Sequence, residues 1–241
     1  MLYGLIGHPL THSFSQAYFE QKFASLNIEA AYKLFPLAHL NEYPALLRDN
    51  PGLRGLNVTI PYKEKILSYL DEVDAAAQTI GAVNCIDIRE GRTTGYNTDA
   101  HAFRKTLEPL LQPHHTQALV LGTGGASKAV THTLQELNIP YKLVSREKKE
   151  GVLTYTDLTG DIIKEHKLII NTTPLGLYPN TDSYPPLPYN KIGMQHLLYD
   201  LIYNPTETRF LSLGRAHGAK IKNGTEMLEL QAEGSWEIWN R

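Results

Sequence analysis

The chain has 241 residues, 42% hydrophobic and 20% charged, so it is long enough to bury one large core or two modest ones. Its formal net charge of -2 leaves no basic surplus, which argues against a nucleic-acid or anionic-membrane partner and favours a small soluble ligand. No segment reaches about 18 uninterrupted apolar residues, and MLYGLIGHPL has no signal-peptide pattern. Because Cys85 is the only cysteine, these features together predict a cytoplasmic protein.

Predicted strands and helices alternate along the first hundred residues, which is typical of a layered α/β unit. The predicted strands cover Met1–Gly7, Ala31–Leu34 and Leu53–Thr59. One predicted helix begins near Ser13, and two others cover Leu40–Arg48 and Tyr62–Ala77. Two further strands, Gly81–Ile88 and Arg92–Tyr96, are predicted to form a hairpin closed by Glu90 and Gly91.

The second part of the chain predicts a parallel sheet. Residues Gln117–Ser145 read as a strand, an amphipathic helix and a second strand, which is a βαβ unit with a right-handed crossover. The apolar runs Leu168–Thr173 and Leu197–Tyr203 suit strands buried inside such a sheet. A helix is predicted over Gly224–Trp239, and the domain boundary falls close to Asp99.

A glycine-rich turn, GTGGAS, joins the strand and the helix of the βαβ unit. Glycine at 122 and 124 permits a tight turn and close approach of the helix N-terminus to a pyrophosphate, which predicts a dinucleotide site. The predicted cofactor-binding residues of the turn are Gly122, Thr123, Gly124, Gly125 and Ala126. Ser127 replaces the usual third glycine or alanine, and a plain strand-to-helix turn is the alternative interpretation.

The end of the second strand of this unit bears on the choice of cofactor. An acidic residue there usually binds the ribose diol of NAD, but this chain has Ser145 and Arg146. A guanidinium suits a 2′-phosphate, so the sequence favours NADP. Two alternatives stay open: the charged segment SREKKE is a solvated turn, or Glu147 binds a ribose hydroxyl.

Polar residues in the first part of the chain form a candidate catalytic set. Ser13 and Ser15 lie at a helix start, where hydroxyls and N–H groups either bind a carboxylate or simply cap the helix. There are four further candidates: Thr59 and Lys63 bracket a strand-to-helix turn, and Asn84 and Asp99 lie at the ends of neighbouring apolar segments. A hydride-transfer enzyme needs such donors for orientation and proton transfer.

Several motifs, in this order, resemble the shikimate dehydrogenase family. They are IGHPLTHSFS, LNVTIPYKE, IGAVNCID, GYNTDAHAF, LGTGGASKAV, NTTPLGL, YDLIYNPTETRFL and GAKIKNGTEMLELQAEGSWEIW. The resemblance implies an α/β substrate-binding domain over 1–99, joined by 224–241, and a Rossmann-like NADP-binding domain over 100–223. It also implies a reversible, NADPH-dependent reduction of 3-dehydroshikimate to shikimate in chorismate and aromatic amino-acid biosynthesis.

The resemblance assigns roles to individual residues. Ser13 and Ser15 are implied to bind the shikimate carboxylate, and Lys63 is implied to be catalytic, either as proton donor or as electrostatic stabiliser. Asp99 is implied to fix the lysine and the reacting hydroxyl. Residues implied to contact the substrate or position its ring are Thr59, Asn84, Tyr203 and Gln231. Gly224 and Leu201, the latter at a position often filled by methionine, are implied to lie near the nicotinamide.

Three other interpretations remain. The first is a quinate/shikimate dehydrogenase that accepts NAD, and the second is a nucleotide-sensing homologue without turnover. The third is a metal-dependent enzyme, suggested by His8, His12, His114 and His115, although none of them forms a recognisable ligand motif and no metal is predicted. We expect a monomer or homodimer whose only partner is the small-molecule substrate.

Overall fold

The chain forms two compact α/β units in a computed structural model that describes residues 1–10 and 13–241. The first unit comprises Met1–Thr98 and Leu230–Arg241, and the second comprises Asp99–Glu229. Thr11 and His12 lie outside the described residues, as does the metal-ligand hypothesis for His12. The predicted α/β class is confirmed for both units.

A mixed six-stranded sheet organises the first unit. Its strands are β1 (Leu2–Gly7), β2 (Ala31–Pro36), β3 (Leu53–Val58), β4 (Glu72–Val73), β5 (Cys85–Arg89) and β6 (Arg92–Tyr96). Its helices are α1 (Phe14–Ser25), α2 (Tyr43–Asp49) and α3 (Ala75–Ile80). The strand order is β2-β1-β3-β5-β6-β4, with β1 parallel to β2 and β3, and β5 antiparallel to β3 and β6.

The β5–β6 hairpin closes as predicted. Arg89 pairs with Arg92 across the turn, and the two residues between them, Glu90 and Gly91, have φ values of 52° and 79°. Positive φ at both central positions is the requirement of a type I′ turn, whose twist matches that of the flanking strands. The glycine at 91 meets this requirement without steric cost.

The helix predicted over Tyr62–Ala77 is wrong. That stretch contains a short 3-10 turn, Lys65–Tyr69, then β4, and only its end belongs to α3. The Asp71 carboxylate accepts hydrogen bonds from the backbone N–H and the hydroxyl of Thr93, both at 2.8 Å. β4 then pairs with β6, so long-range hydrogen bonds replace the helical ones that apolar periodicity suggested.

The second unit is a parallel sheet with helices. Its strands are β7 (Ala118–Leu121), β8 (Tyr141–Ser145), β9 (Leu153–Thr154), β10 (Leu168–Asn171), β11 (Leu197–Asp200) and β12 (Lys220–Lys222). Its helices are α4 (Asp99–Leu107), α5 (Gly125–Glu136), α6 (Gly160–Glu165) and α7 (Arg209–Ala216). The predicted βαβ unit is confirmed as β7, α5 and β8, with β7 and β8 parallel.

The strand order of the second sheet is β12-β11-β10-β7-β8-β9. From β7 the chain adds β8 and β9 on one side and then crosses back to add β10, β11 and β12 on the other side, so the strand order reverses between β7 and β10. This is the doubly wound Rossmann order, in which ligands bind outside the carboxyl ends of the strands at the point of reversal. The turn after β7 and the segment after β10 both lie at that edge.

The last helix, α8 (Thr225–Trp239), ends in the core of the first unit. The Trp239 ring stacks on Tyr3 with centroids 4.8 Å apart, and its indole N–H donates to the carbonyl of Ile86 at 2.9 Å. A Cβ on Gly55 would overlap the same indole, so glycine is required there by close approach. The end of α8 is therefore part of the hydrophobic core of the first unit.

Candidate active site

The glycine turn follows β7 and opens α5. Gly122 has a φ of +113°, and a Cβ on it would lie 2.5 Å from the Thr172 hydroxyl oxygen. Gly124 is the N-cap of α5 and is exposed, and a Cβ on it would meet no protein atom within 4 Å. The first glycine is thus required by backbone conformation and packing, whereas the second leaves the helix N-terminus open to a ligand.

Ser127, which replaces the usual third small residue, is folded into the turn. Its hydroxyl donates to the carbonyl of Gly124 at 2.6 Å, and its backbone N–H donates to the same oxygen at 2.9 Å. The side chain is buried, so it braces the turn and does not occupy the ligand side. The substitution is therefore compatible with anion binding by the N–H groups that begin α5.

Ser145 and Arg146 lie beside this turn. The backbone N–H of Gly122 donates to the carbonyl of Val144 at 2.8 Å, which joins the turn after β7 to the end of β8. Arg146 and Glu147 are exposed. Ser145 accepts a hydrogen bond from the N–H of Glu147 at 3.3 Å, so the segment forms a local turn. An exposed guanidinium at this place fits a 2′-phosphate.

Three other predicted residues lie at the carboxyl edge of the same sheet. Leu201 and Tyr203 follow β11, and the N–H of Leu201 donates to the carbonyl of Asn171 at 3.0 Å. Gly224 donates its N–H to the carbonyl of Ile202 at 3.0 Å, and a Cβ on Gly224 would overlap the Leu201 backbone. The structure therefore brings Leu201 and Gly224 into contact, and Tyr203 lies two residues further along the same segment. Burial raises the pKa of Tyr203.

In the first unit, Ser13 is the N-cap residue of α1, but its side chain makes no capping hydrogen bond. The simple capping interpretation of this serine is therefore wrong, and its hydroxyl is not committed to the helix. Ser15 is buried and lies near the phenol of Tyr32. Burial raises the pKa of Tyr32 well above its ordinary value, so the phenol is neutral and acts as a donor.

Thr59 and Lys63 lie just beyond the carboxyl end of β3. The N–H of Thr59 donates to the carbonyl of Ile6 at 2.9 Å, and its carbonyl accepts from Tyr62 at 2.9 Å. The carbonyl of Lys63 accepts from the N–H of Val83 at 2.7 Å, which fixes the lysine backbone against the segment before β5. Both side chains are partly buried.

Asn84 and Gln231 belong to one buried hydrogen-bond network in the first unit. Asn84 Nδ2 donates to the Thr98 hydroxyl at 2.9 Å and lies 3.4 Å from Gln231 Oε1. The Thr98 hydroxyl donates to the carbonyl of Gln231 at 3.0 Å. Asn84, from the segment before β5, and Gln231, from α8, therefore meet at the residue that precedes Asp99.

Sequence reasoning missed the polar residues that complete this network. Tyr32 donates to Asn57 Oδ1 at 2.8 Å, and Asn57 Nδ2 donates to the Ser235 hydroxyl at 2.8 Å and to the carbonyl of Asn84 at 3.3 Å. Tyr32 is thereby connected through Asn57 to Asn84. The available signal was Asn57 itself, a polar residue inside the otherwise apolar strand LRGLNV.

Asp99 opens the second unit as the first residue of α4 and is buried. A carboxylate in the first turn of a helix is stabilised by the helix dipole. Its backbone continues directly from Thr98, whose N–H donates to Asn84 Oδ1 at 2.7 Å. The chain that leads into Asp99 is therefore fixed by the network of the first unit.

Comparisons with known proteins agree with these observations. The sequence model of the shikimate dehydrogenase substrate binding domain matches residues 5–86. Shikimate dehydrogenase (NADP(+)) of Methanococcus maripaludis is 39% identical to the chain, and the match covers 99% of this chain and 91% of the relative. Shikimate dehydrogenase (NADP(+)) of Clostridium beijerinckii is 41% identical over 98% of this chain and 91% of its own.

A solved structure gives the same result for the fold. The crystal structure of shikimate 5-dehydrogenase from Thermus thermophilus in complex with NADP(H) and shikimate matches with a TM-score of 0.87 and 33% identity, over 99% of this chain and 93% of that one. The chain belongs to the shikimate dehydrogenase family. The family prediction made from the sequence motifs is confirmed, and so is the Rossmann-like fold of the second unit.

This member of the shikimate dehydrogenase family departs from the usual sequence pattern at single positions in the candidate site. Leu201 stands where the family resemblance implies a methionine, and its backbone is held by Asn171 and packed against Gly224. A leucine for methionine exchange conserves volume and is well tolerated in packed sites. Ser127 is accommodated within the glycine turn, and Arg146 keeps a guanidinium at the end of β8.

Two features of the described part of the chain bear on the alternatives. Among residues 1–10 and 13–241, no group of three or more His, Cys, Asp or Glu side chains is arranged to hold a metal ion. Within the same residues, no helix is both long and apolar enough to cross a membrane. His115 accepts from the N–H of Gln112 at 3.0 Å, so its Nδ1 serves a local turn.

Proposed function

We propose that this protein is an NADP-dependent shikimate dehydrogenase that reversibly reduces 3-dehydroshikimate to shikimate in chorismate and aromatic amino-acid biosynthesis. The observation that carries the proposal is the 39% identity to an enzyme of that name over 99% of the chain. The doubly wound second unit, with a glycine turn at the point of strand reversal, supports a dinucleotide cofactor.

The first unit, residues 1–98 with the end of α8, is the proposed substrate-binding part. Ser13 and Ser15 bind the substrate carboxylate, and the Ser13 side chain makes no capping hydrogen bond to α1. The residues proposed to bind substrate hydroxyls or position the ring are Thr59, Asn84, Gln231 and, from the second unit, Tyr203. The buried network of Asn84 and Gln231 supports a fixed orientation for these groups.

The second unit is the proposed cofactor-binding part. Gly122, Gly124 and the first amides of α5 hold the pyrophosphate, because Gly124 leaves the helix N-terminus uncovered. Thr123, Gly125 and Ala126 contribute backbone groups to the same turn. Ser145 and Arg146 bind the adenosine part of the cofactor, and the Arg146 guanidinium binds the 2′-phosphate. Leu201 and Gly224 form the surface for the nicotinamide.

NADPH, when bound, supplies the hydride from C4 of its nicotinamide. Lys63 donates the proton to the developing alkoxide or stabilises its negative charge, and Asp99 orients the lysine and the reacting hydroxyl. The backbone contact of Lys63 with Val83 and the fixed chain leading into Asp99 support positioned roles for both residues.

The experiment is an initial-rate assay of NADP reduction with shikimate, repeated with quinate and with NAD. The proposal expects turnover with shikimate and NADP and much lower kcat/KM with quinate or NAD. Comparable rates with quinate and NAD favour the quinate/shikimate alternative. No turnover with any pair, despite NADP binding, favours a nucleotide-sensing homologue.

A metal requirement is tested by adding EDTA to the same assay, and the proposal expects no change in rate. The compartment and the assembly belong to the same proposal: a cytoplasmic enzyme that is a monomer or a homodimer. Size measurement in solution decides between the two states.

A further inference from the structure

A carboxylate is buried at the carboxyl end of β11, where the described mechanism does not use it. Asp200 is fully buried in the second unit and ends the apolar strand LLYD. Asn171 Nδ2 and the N–H of Ile202 donate to its Oδ1 at 3.0 and 3.1 Å, and the Thr208 hydroxyl donates to its Oδ2 at 2.6 Å. A buried carboxyl group needs hydrogen-bond partners, and here its two oxygens bind three donors and so fix the position of each donor.

The first partner connects Asp200 to the turn after β10. Asn171 Oδ1 accepts from both the N–H and the hydroxyl of Thr173, at 3.0 and 2.6 Å. The neighbouring Thr172 hydroxyl donates to the carbonyl of Leu121 at 2.7 Å and packs against the Gly122 position. The Asn171 side chain therefore orders the segment that lies against the glycine turn.

The second partner connects Asp200 to the start of α8. The N–H of Ile202 is bound to Asp200, and the carbonyl of Ile202 accepts from the N–H of Gly224 at 3.0 Å. Gly224 tolerates no Cβ because the Leu201 backbone lies directly against it. The conformation of Leu201 and Ile202 is thus set on one side by the carboxylate and on the other by Gly224.

The third partner connects Asp200 to α7. The Thr208 hydroxyl that donates to Asp200 also accepts from the N–H of Leu211 at 3.4 Å, so it caps this helix. One carboxylate therefore contacts the ends of β10 and β11 and the start of α7, and through Ile202 it reaches the start of α8. All of these lie at the edge of the sheet where a doubly wound fold binds its dinucleotide.

We propose that Asp200 is a positioning residue, which holds the segments after β10 and β11 in the single arrangement that receives the dinucleotide cofactor. The proposal rests on the proposed function for the identity of the cofactor. Asp200 does not touch the cofactor in this account; it acts through Asn171, Ile202 and Thr208. Loss of its three hydrogen bonds loosens these segments and raises the cost of ordering them when the cofactor binds.

Two substitutions separate the hydrogen bonds from the charge. Asp200→Ala removes all three bonds. Asp200→Asn keeps the acceptor for Asn171 and Ile202, and its amide group donates to the Thr208 hydroxyl once that hydroxyl turns. Thr208→Val removes one donor to Asp200 at constant shape, together with the N-cap acceptor for the N–H of Leu211. Tyr199→Phe is the matched control, because Tyr199 lies in the same strand as Asp200. The substitution removes the 2.7 Å hydrogen bond between Tyr199 and Thr106 of α4 and leaves the partners of Asp200 in place.

The test measures NADP affinity by calorimetry and amide hydrogen exchange at Ile202 and Gly224 without cofactor. Asp200→Ala is expected to weaken NADP binding about tenfold or more and to speed exchange at both amides by a similar factor. Asp200→Asn is expected to recover most of both effects, and Tyr199→Phe to match the wild type in both. If Asp200→Ala does not fold, Thr208→Val decides, with an expected loss of affinity of about threefold and faster exchange at Ile202.

Wild-type affinity and wild-type exchange in folded Asp200→Ala, or in Thr208→Val if the alanine variant does not fold, overturn the inference. An equal loss of affinity in Tyr199→Phe also overturns it, because the effect is then general destabilisation. The exchange measurement needs no cofactor or substrate. Wild-type protein that binds NADP without oxidising shikimate therefore refutes the proposed function, whereas the affinity and exchange measurements still test the role of Asp200.

Discussion

Asn84 and Thr98 are joined by two reciprocal hydrogen bonds, one from Asn84 Nδ2 to the Thr98 hydroxyl at 2.9 Å and one from the Thr98 N–H to Asn84 Oδ1 at 2.7 Å. Both residues are buried. The pair fixes the backbone immediately before Asp99, the proposed partner of the catalytic lysine. Asn84 therefore has a structural contribution that can be measured apart from any contact with substrate.

Asn84→Ala is expected to lower the free energy of unfolding by about 2–4 kcal/mol, because it leaves the buried N–H of Thr98 without its acceptor and removes the donor to the Thr98 hydroxyl, which keeps only its bond to the carbonyl of Gln231. Urea unfolding measures the change. Asn50→Ala is the control: it removes a single, less buried hydrogen bond to the carbonyl of Leu46, at 2.9 Å, and is expected to cost about 1 kcal/mol. Equal costs for the two variants would show that the Asn84 pair is not the stabilising contact described.

The two glycines of the cofactor turn are expected to respond differently to alanine. Gly122→Ala forces a Cβ onto a residue with φ of +113° and against Thr172, so we expect a loss of stability of about 2 kcal/mol or more. Gly124→Ala meets no protein atom at a φ of -91°, so stability stays within about 0.5 kcal/mol while NADP binding weakens about tenfold. Thermal unfolding and calorimetry measure the two effects. A Gly124→Ala variant with wild-type affinity argues against pyrophosphate binding at this turn.

Local signals were enough to predict much of the fold. The Glu90–Gly91 hairpin, the βαβ unit and the buried parallel strands each follow from residue types and periodicity within about 30 residues of sequence. The helix predicted over 62–77 was wrong because Asp71 bonds to Thr93 and β4 pairs with β6, contacts that periodicity does not encode.

The candidate site was predictable only in part, for the same physical reason. The glycine turn and the serines at the start of α1 carry local chemistry that the sequence displays. The bond between Asn57 and Ser235 joins residues 178 positions apart, and the one between Asn84 and Gln231 joins residues 147 apart. Asp200 was visible as one charge in the apolar run LLYDLIY, but its three partners come from separate segments.

Arg146→Ala is expected to raise the KM for NADPH about tenfold or more and to leave the KM for NADH nearly unchanged, because only NADPH carries the 2′-phosphate that the guanidinium meets. Steady-state kinetics with both cofactors give the comparison. Lys149→Ala, which removes a charge from the same exposed loop, is the control for general electrostatic attraction and is expected to have a smaller, salt-dependent effect. Equal weakening of NADPH and NADH by Arg146→Ala contradicts the assignment.

Asp200 is expected to make stability depend on pH. Burial raises its pKa from 3.8 to about 7, although the hydrogen bonds from Thr208, Ile202 and Asn171 favour the charged form. Between these two values the folded protein holds a proton that the unfolded chain has lost, so this contribution is present at low pH and is lost as the pH rises through about 7. Tyr189, which interacts electrostatically with Asp200, has a raised pKa and stays neutral.

The measurement for Asp200 is the difference in unfolding free energy between wild type and Asp200→Asn, which does not titrate at this position. We expect the wild type to lose about 2–3 kcal/mol relative to the variant between pH 5 and pH 8. A difference that stays constant with pH, or one that grows in favour of the wild type, contradicts the raised pKa.

The central claim, that Lys63 serves an NADP-dependent oxidation of shikimate, is tested most directly by the initial rate of NADPH formation from shikimate and NADP in the wild type and in folded Lys63→Ala. The account predicts turnover by the wild type and a kcat reduced by a factor of about 10²–10⁴ in the variant, with its circular dichroism spectrum unchanged. Absence of shikimate-dependent NADPH formation by the wild type, or a near-wild-type rate in Lys63→Ala, would contradict it.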